Sequence, residues 1–217
     1  MLLTHYGGRA ANLVLAAKRS APRLVALLAA HLPGFRDHAV YNGRQVFFYK
    51  RAQIFVGDVH GAFRGAGLGA FADISALTMF ADYRVPVVLR KLDVLRYEPA
   101  LAAQVRAHRN PCHHLVRFTA RLPCHLAGPQ GAVSCIAKAS GVVQIDSKVE
   151  IAPGSAAEVE IRAGCIQAVE LLKESVGKVH GPECVPTSVQ LDWWLWAAGE
   201  RSRGHDPHHH RTHTIYY

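Results

Sequence analysis

Residues 71–95 read FADISALTMFADYRVPVVLRKLDVL. Two apolar runs meet at one carboxylate. Ile74, Leu77, Met79 and Phe80 make the first, and residues 85–95 carry the second. Val85, Val88, Leu89 and Leu92 recur at helical spacing, and Pro86 falls in the first turn, where it is tolerated, so the second run predicts a helix. Asp82 stands just before it. As a cap, its side chain would accept hydrogen bonds from the open N–H groups of the first turn. As a functional group, it would be a partly buried acid at a helix start, beside the aromatic Phe80. The residues alone leave both readings open.

Toward the N-terminus, residues 10–19 predict a short apolar helix. Ser20 reads as an N-cap and Pro22 as a first-turn residue of a second helix through Leu32. Leu24, Leu27, Leu28 and His31 form its inward face. Asn42 and Gly43 signal a turn. VFFY (46–49) fits a short strand or a helix entry. Residues 50–63 predict a helix buried through Ala52, Phe55, Val56, Val59 and Phe63. The glycine-rich RGAGLG (64–69) lacks the Lys-Ser/Thr of a phosphate loop and reads as a connector.

Toward the C-terminus, a helix is expected to begin at 99–105. Residues 106–144 then show no period and many turn residues. A long helix follows over 156–176, with Val159, Ile161, Ile166, Val169, Leu171 and Leu172 as its apolar positions. Glu158 suits its positive start as a cap. Thr187 or Ser188 opens a last helix through Ala198, carrying Asp192 with Trp193, Trp194 and Trp196. Those tryptophans read either as a stacking platform or as core. HDPHHHRTH (205–213) reads as an exposed turn.

The chain has 217 residues, 50% hydrophobic and 19% charged, enough for one domain with a real core. The expectation is a mainly α, compact helical single domain spanning 1–217, with an irregular insertion at 106–144. No apolar run has the length of a membrane span. Lys plus Arg is 25 against 16 acids, a formal charge of +9, which suits an anionic ligand. Five of the basic residues lie in 106–144, which has no acid. The others are scattered rather than aligned, so no stable nucleic-acid partner is expected; a helical nucleic-acid-binding module is the alternative in that class. The basic, acid-free start reads as an amphipathic helical pair in a cytoplasmic protein, with an organelle transit peptide as the competing reading. Five cysteines form no even framework and are read as free thiols. Cys112, His113, His114, Cys124 and His125 match no closed tetrahedral spacing, so no metal is expected.

The stretch FADISALTMFADYRVP also resembles the core signature of the queuosine salvage family, the queuosine 5'-phosphate N-glycosylases/hydrolases. FFYKRAQIFVGDV (47–59), EVEIRAGCIQAVELL (158–172), and LDWWLW (191–196) with TIYY (214–217) resemble further family stretches in the same order. The resemblance implies a helical fold akin to the helix-hairpin-helix DNA glycosylases. It implies hydrolysis of queuosine 5'-phosphate, a small-molecule substrate, to release queuine for tRNA modification. No cofactor is implied, and a monomer is expected.

Cleaving an N-glycosidic bond builds positive charge on the sugar, which a fixed carboxylate stabilises or attacks. A second carboxylate holds ribose hydroxyls or orients water. By resemblance the base and sugar contacts fall on Phe80 and Asp82 in TMFAD, and on Asp192 and Trp193 in LDWW. The catalytic candidates are therefore Asp82 and Asp192, and the substrate-binding candidates Phe80, Trp193, Trp196, Lys50 and Arg84, with Lys50, Arg51 or Arg84 for the phosphate. Three departures from the family pattern stand out. An acid often follows the WLW-like motif, but here Ala197 does, with Glu200 one turn further. Family members are longer at the N-terminus, so the chain is expected to be truncated there. The resemblance breaks across 106–144, whose edges suit a retained intron. The alternative is thus an inactive or incomplete relative that only binds the nucleotide.

Overall fold

The computed structural model describes residues 2–97, 117–118, 150–202 and 209–217. These are mainly helical. In chain order the elements are α1 (Leu2–Tyr6), α2 (Ala10–Ala16), α3 (Ala21–His31), β1 (His38–Tyr41), β2 (Arg44–Phe47), α4 (Lys50–Ala62), α5 (Arg84–Lys91), β3 (Leu95–Arg96), β4 (Arg117–Phe118), α6 (Ala156–His180) and α7 (Ser188–Arg201). β1 and β2 form an antiparallel hairpin in which Tyr41 faces Arg44. Its two turn residues, Asn42 and Gly43, have φ of 48° and 73°, the mirror-image turn that matches strand twist. β3 pairs antiparallel with β4.

Local chemistry sets the helix boundaries. α2 stops at Ala16 because Lys18 and Arg19 turn left-handed, with φ of 52° and 62°, and feed the chain into the next cap. Ser20 then accepts from Arg23 N, with Pro22 in the first turn of α3. Ser155 caps α6 through Glu158 N, and α6 runs on to His180, four residues past the expected end, where Gly181 stops it with φ of 94°. Thr187 and Gln190 form a reciprocal capping box at the start of α7. RGAGLG closes into a single 3-10 turn over Gly67–Gly69, a connector.

Two apolar clusters make the core. One joins α2, α3 and α4 through Leu13, Leu24, Leu28, Ala52 and Val56. The other joins the hairpin, α5, α6 and α7 through Ala39, Phe48, Leu89, Ile161 and Leu195. The extended residues 77–81 form the seam between them. Leu77 and Phe80 pack into the first cluster, and Met79 and Ala81 into the second. α4 meets this seam closely. A β-carbon at Gly57 would lie 2.8 Å from Phe80 Cζ, and one at Gly61 would lie 3.1 Å from Trp193 Cη2.

A buried ion pair ties the two halves together. Asp37, just ahead of the hairpin, receives the Arg162 guanidinium of α6 in a two-pronged contact, with Nη1 at 2.8 Å. Both side chains are almost wholly buried, at 1% and 3% exposed. Asp37 also accepts from Lys50 N at 3.0 Å, and its carbonyl accepts from Phe48 N and Tyr49 N. Arg162 donates onward through Nε to Ala81 O at 3.3 Å and lies 3.4 Å from Glu158.

Several expectations fall on other residues. The candidate zinc ligands, the helix from 99 and nearly all of 106–144 lie outside the described residues. Among the described residues there is no cluster of three metal-ligating side chains, and no helix long and apolar enough to cross a membrane. Of the histidine-rich stretch read as an exposed turn, residues 205–208 lie outside the described residues, and Arg211 and His213 are exposed. His210 departs from that reading at 1% exposed, because Ile151 N donates to Arg211 O at 2.7 Å and draws the segment onto the body.

Removing one partner of a buried, hydrogen-bonded pair strands the other charge. Arg162→Met is therefore expected to lower unfolding stability by about 3–5 kcal/mol, read from the midpoint of a urea titration.

Candidate active site

The seam places three of the sequence candidates in one cluster. Asp82 is 7% exposed and follows directly on Ala81. Its Oδ1 accepts from Arg84 N at 2.9 Å and Val85 N at 2.8 Å, so it does cap α5, as the first reading of the sequence allowed. The cap occupies one oxygen, and the carboxylate stays within electrostatic reach of Lys50, Asp192 and Cys165. Capping and a functional role therefore fall on one side chain.

Asp192 projects from the buried side of α7 and is 5% exposed. Its Oδ1 accepts from Phe80 N at 2.8 Å, across 112 residues of chain. Burial pushes its carboxyl up to about 7. The neighbouring Asp82 adds to that rise, while the Phe80 N–H and Lys50 oppose it. Burial likewise raises Asp82, against the Val85 N–H and Lys50. A buried carboxyl holding its proton near neutral pH beside a second acid is a common arrangement at catalytic sites.

Lys50 opens α4, held there by the Asp37 carboxylate on its own N–H. The side chain is 9% exposed. Burial lowers its amine, and the Asp82 charge resists that change, with Asp37 and Asp192 acting in the same sense. Its ammonium lies 5.8 Å from the centroid of the Tyr217 ring. The cluster is thus two acids and one cation in a low-dielectric setting, where each charge acts strongly on the others.

The remaining candidates lie further out. The Phe80 ring is 4% exposed and packs onto Gly57 and Val189 of the core, so its contact with the cluster runs through its backbone N–H. Arg84 is engaged by Gly199 O at 2.5 Å and by Glu200 at 3.1 Å. The Glu200 carboxylate is therefore directed to the start of α5. Trp193 packs edge-on against Gly61 and is 37% exposed. Trp196, one turn beyond Asp192, is 48% exposed. A cleft of about 560 Å³ opens beside α3, Phe48, Tyr49, Gln53 and Thr78. Neither acid lines it, and its walls are mostly apolar.

Sequence reading missed four supports of the cluster: Asp37, Arg162, His210 and Tyr217. One signal was available. Glu158, Arg162, Cys165 and Val169 share a helical stripe, and all are buried, so an ion pair was written into an apolar face. Asp37 gave none, being a lone acid in a connector.

Comparisons with known proteins cover the stretches that build the cluster. A family model described as queuosine salvage protein matches residues 1–113 and 135–217. Relatives named queuosine 5'-phosphate N-glycosylase/hydrolase are similar along the chain. That of Dictyostelium discoideum is 39% identical over 217 residues, covering 100% of this chain and 54% of its own length. That of Sphaerobacter thermophilus is 38% identical over 218 residues, with the same coverage of 100% and 54%. That of Mus musculus is 33% identical over 223 residues, again at 100% and 54%. The chain spans about half the length of the curated relatives it matches.

The raised Asp192 carboxyl links folding to pH. The folded chain holds a proton there up to about 7, while an unfolded chain releases it near the ordinary aspartate value of about 4. Between those values the native state binds more protons, so the Asp192 contribution to stability is full below about pH 4 and is lost as pH rises toward 7. Asp192→Asn keeps an acceptor for the Phe80 N–H and has no charge to bury. Relative to wild type, it is expected to gain roughly 3 kcal/mol between pH 4 and pH 7, measured by urea unfolding at each pH.

Proposed function

The chain belongs to the queuosine salvage protein family, and on that premise we propose that the cluster of Asp82, Asp192 and Lys50 hydrolyses the N-glycosidic bond of queuosine 5'-phosphate and releases queuine. The observation that carries the reading is the pairing of two buried acids from separate elements, one of which keeps its proton near neutral pH.

In this reading the C1′–N bond breaks first, and its electron pair leaves with the base. Asp82, its orientation fixed by two backbone N–H groups, faces the positive charge that develops on the sugar. Asp192 gives its proton to the departing base and regains one from the water that adds to C1′. Lys50 meets the 5'-phosphate, since Arg84 is committed to Gly199 O and Glu200. Trp196 and Trp193 offer partly exposed aromatic faces near the Asp192 turn for the planar base. No metal or organic cofactor enters the scheme. The acting species is a monomer in the cytoplasm working on a free nucleotide, without a stable nucleic-acid partner.

The test is release of free queuine from queuosine 5'-phosphate by the purified chain. Wild type is expected to release it, and Asp82→Ala and Asp192→Ala each to lower kcat at least about 100-fold. Release that survives both substitutions would move the site elsewhere. Nucleotide binding without any release would instead make this chain a binding relative.

A further inference from the structure

The segment 209–217 folds back over the acid cluster. Ile151 N donates to Arg211 O at 2.7 Å, and His213 meets Glu150 at 2.9 Å, so both sides of the segment are fastened to the entry of α6. From there the chain brings Tyr217 into the protein. His210 Nε2 lies 3.2 Å from the Tyr217 hydroxyl, and the two rings meet edge to face. Glu158, which also pairs with Arg162, lies within electrostatic reach of that hydroxyl. The Tyr217 ring stands 5.8 Å from Lys50 Nζ and 5.7 Å from the Arg162 guanidinium. Tyr83, the residue after Asp82, packs against Tyr217 and His209 with centroids 6.4 Å and 4.9 Å away.

One aromatic ring therefore lies beside the buried cation of the site, the Arg162 that supports it, and the residue that follows its central acid. A cation against an aromatic face is held by the ring quadrupole, and the ring also excludes water from it. The tie to His210 is part of the same device. The imidazole is 1% exposed and its Nδ1 has no partner among the described residues, so the Tyr217 hydroxyl is the polar contact it makes there. Loss of the hydroxyl would leave a buried ring with both nitrogens unpaired, a cost that favours release of the segment.

We propose that Tyr217 is a positioning residue of this site: its ring covers Lys50 and Arg162, and its hydroxyl, tied to His210, holds the segment 209–217 closed over the acid cluster. The proposal rests on the reading of Lys50, Asp82 and Asp192 as the functional site. Tyr217 acts through the cations and touches no reacting atom, so its removal should weaken binding of the anionic substrate more than the chemical step.

The experiment has two arms. The first uses no substrate. Acetylation of Lys50 by an N-hydroxysuccinimide ester is followed by mass spectrometry on wild type, Tyr217→Ala and Tyr217→Phe, with thermal unfolding run alongside. The rate at Lys50 is expected to rise at least about fivefold in Tyr217→Ala and at least about twofold in Tyr217→Phe, with Ile215→Ala, an exposed neighbour, at the wild-type rate. An unchanged rate in both Tyr217 variants would overturn the proposal; if the alanine variant does not fold, the phenylalanine variant decides alone. The second arm measures queuine release. KM for queuosine 5'-phosphate is expected to rise about tenfold in Tyr217→Ala with kcat within about threefold of wild type, and an unchanged KM would overturn the proposal. Absence of release from wild type itself would count against the hydrolase reading, and the acetylation arm would still decide whether Tyr217 covers the cation.

Discussion

The Arg162–Asp37 pair is the contact on which the rest of the structure depends. Taking both charges out of water is expensive, and the pair is viable only because nearly every polar atom around it is used. The guanidinium forks onto Asp37, reaches Glu158 and Ala81 O, and lies 4.0 Å from the centroid of the Phe48 ring. Asp37 in turn receives Lys50 N, and its carbonyl receives two further backbone donors. One ion pair thus fixes the approach to α4, its first residue, the seam at Ala81 and the second turn of α6. Lys50 opens α4 and Asp82 follows the seam, so the acid cluster inherits its geometry from this contact.

That division of labour explains the mixed character of Asp82 and Asp192. Asp82 accepts two backbone N–H groups on Oδ1 and Asp192 accepts one, which sets the direction of each. Asp192 is held by the Phe80 N–H of the seam, and Asp82 by N–H groups of the helix it caps. Burial is the main cause of the proton that Asp192 retains, and the neighbouring Asp82 adds to it.

Helices with strong local signals were legible in the sequence. The Ser20 and Ser155 caps, the turn at Asn42 and Gly43, and the apolar stripes of α3, α5 and α6 all work through neighbours within a few residues, where spacing carries the information. Asp82 and Asp192 were singled out as candidates because family-like motifs enclosed them, and the fold brings them into one cluster. The departures have a common origin in contacts between distant residues. The core placement of the Phe80 ring follows from Gly57, 23 positions away, and no local pattern records it. Arg84 was one of three residues offered for the phosphate, and its engagement by Glu200 and Gly199 on another helix is invisible to spacing. The burial of His210 runs against its composition, since a histidine-rich stretch signals solvent, and only the strand-like contact with Ile151 reverses that.

The two glycines of α4 have a wider meaning. They admit the Phe80 and Trp193 rings to within touching distance of the helix backbone, but each costs about 1 kcal/mol of helical preference relative to alanine. A thirteen-residue helix so weakened has little reason to exist alone. It is a helix by consent of its surroundings. Lys50 stands at its first position, so the placement of the cluster's cation depends on the same aromatic packing that supports the helix.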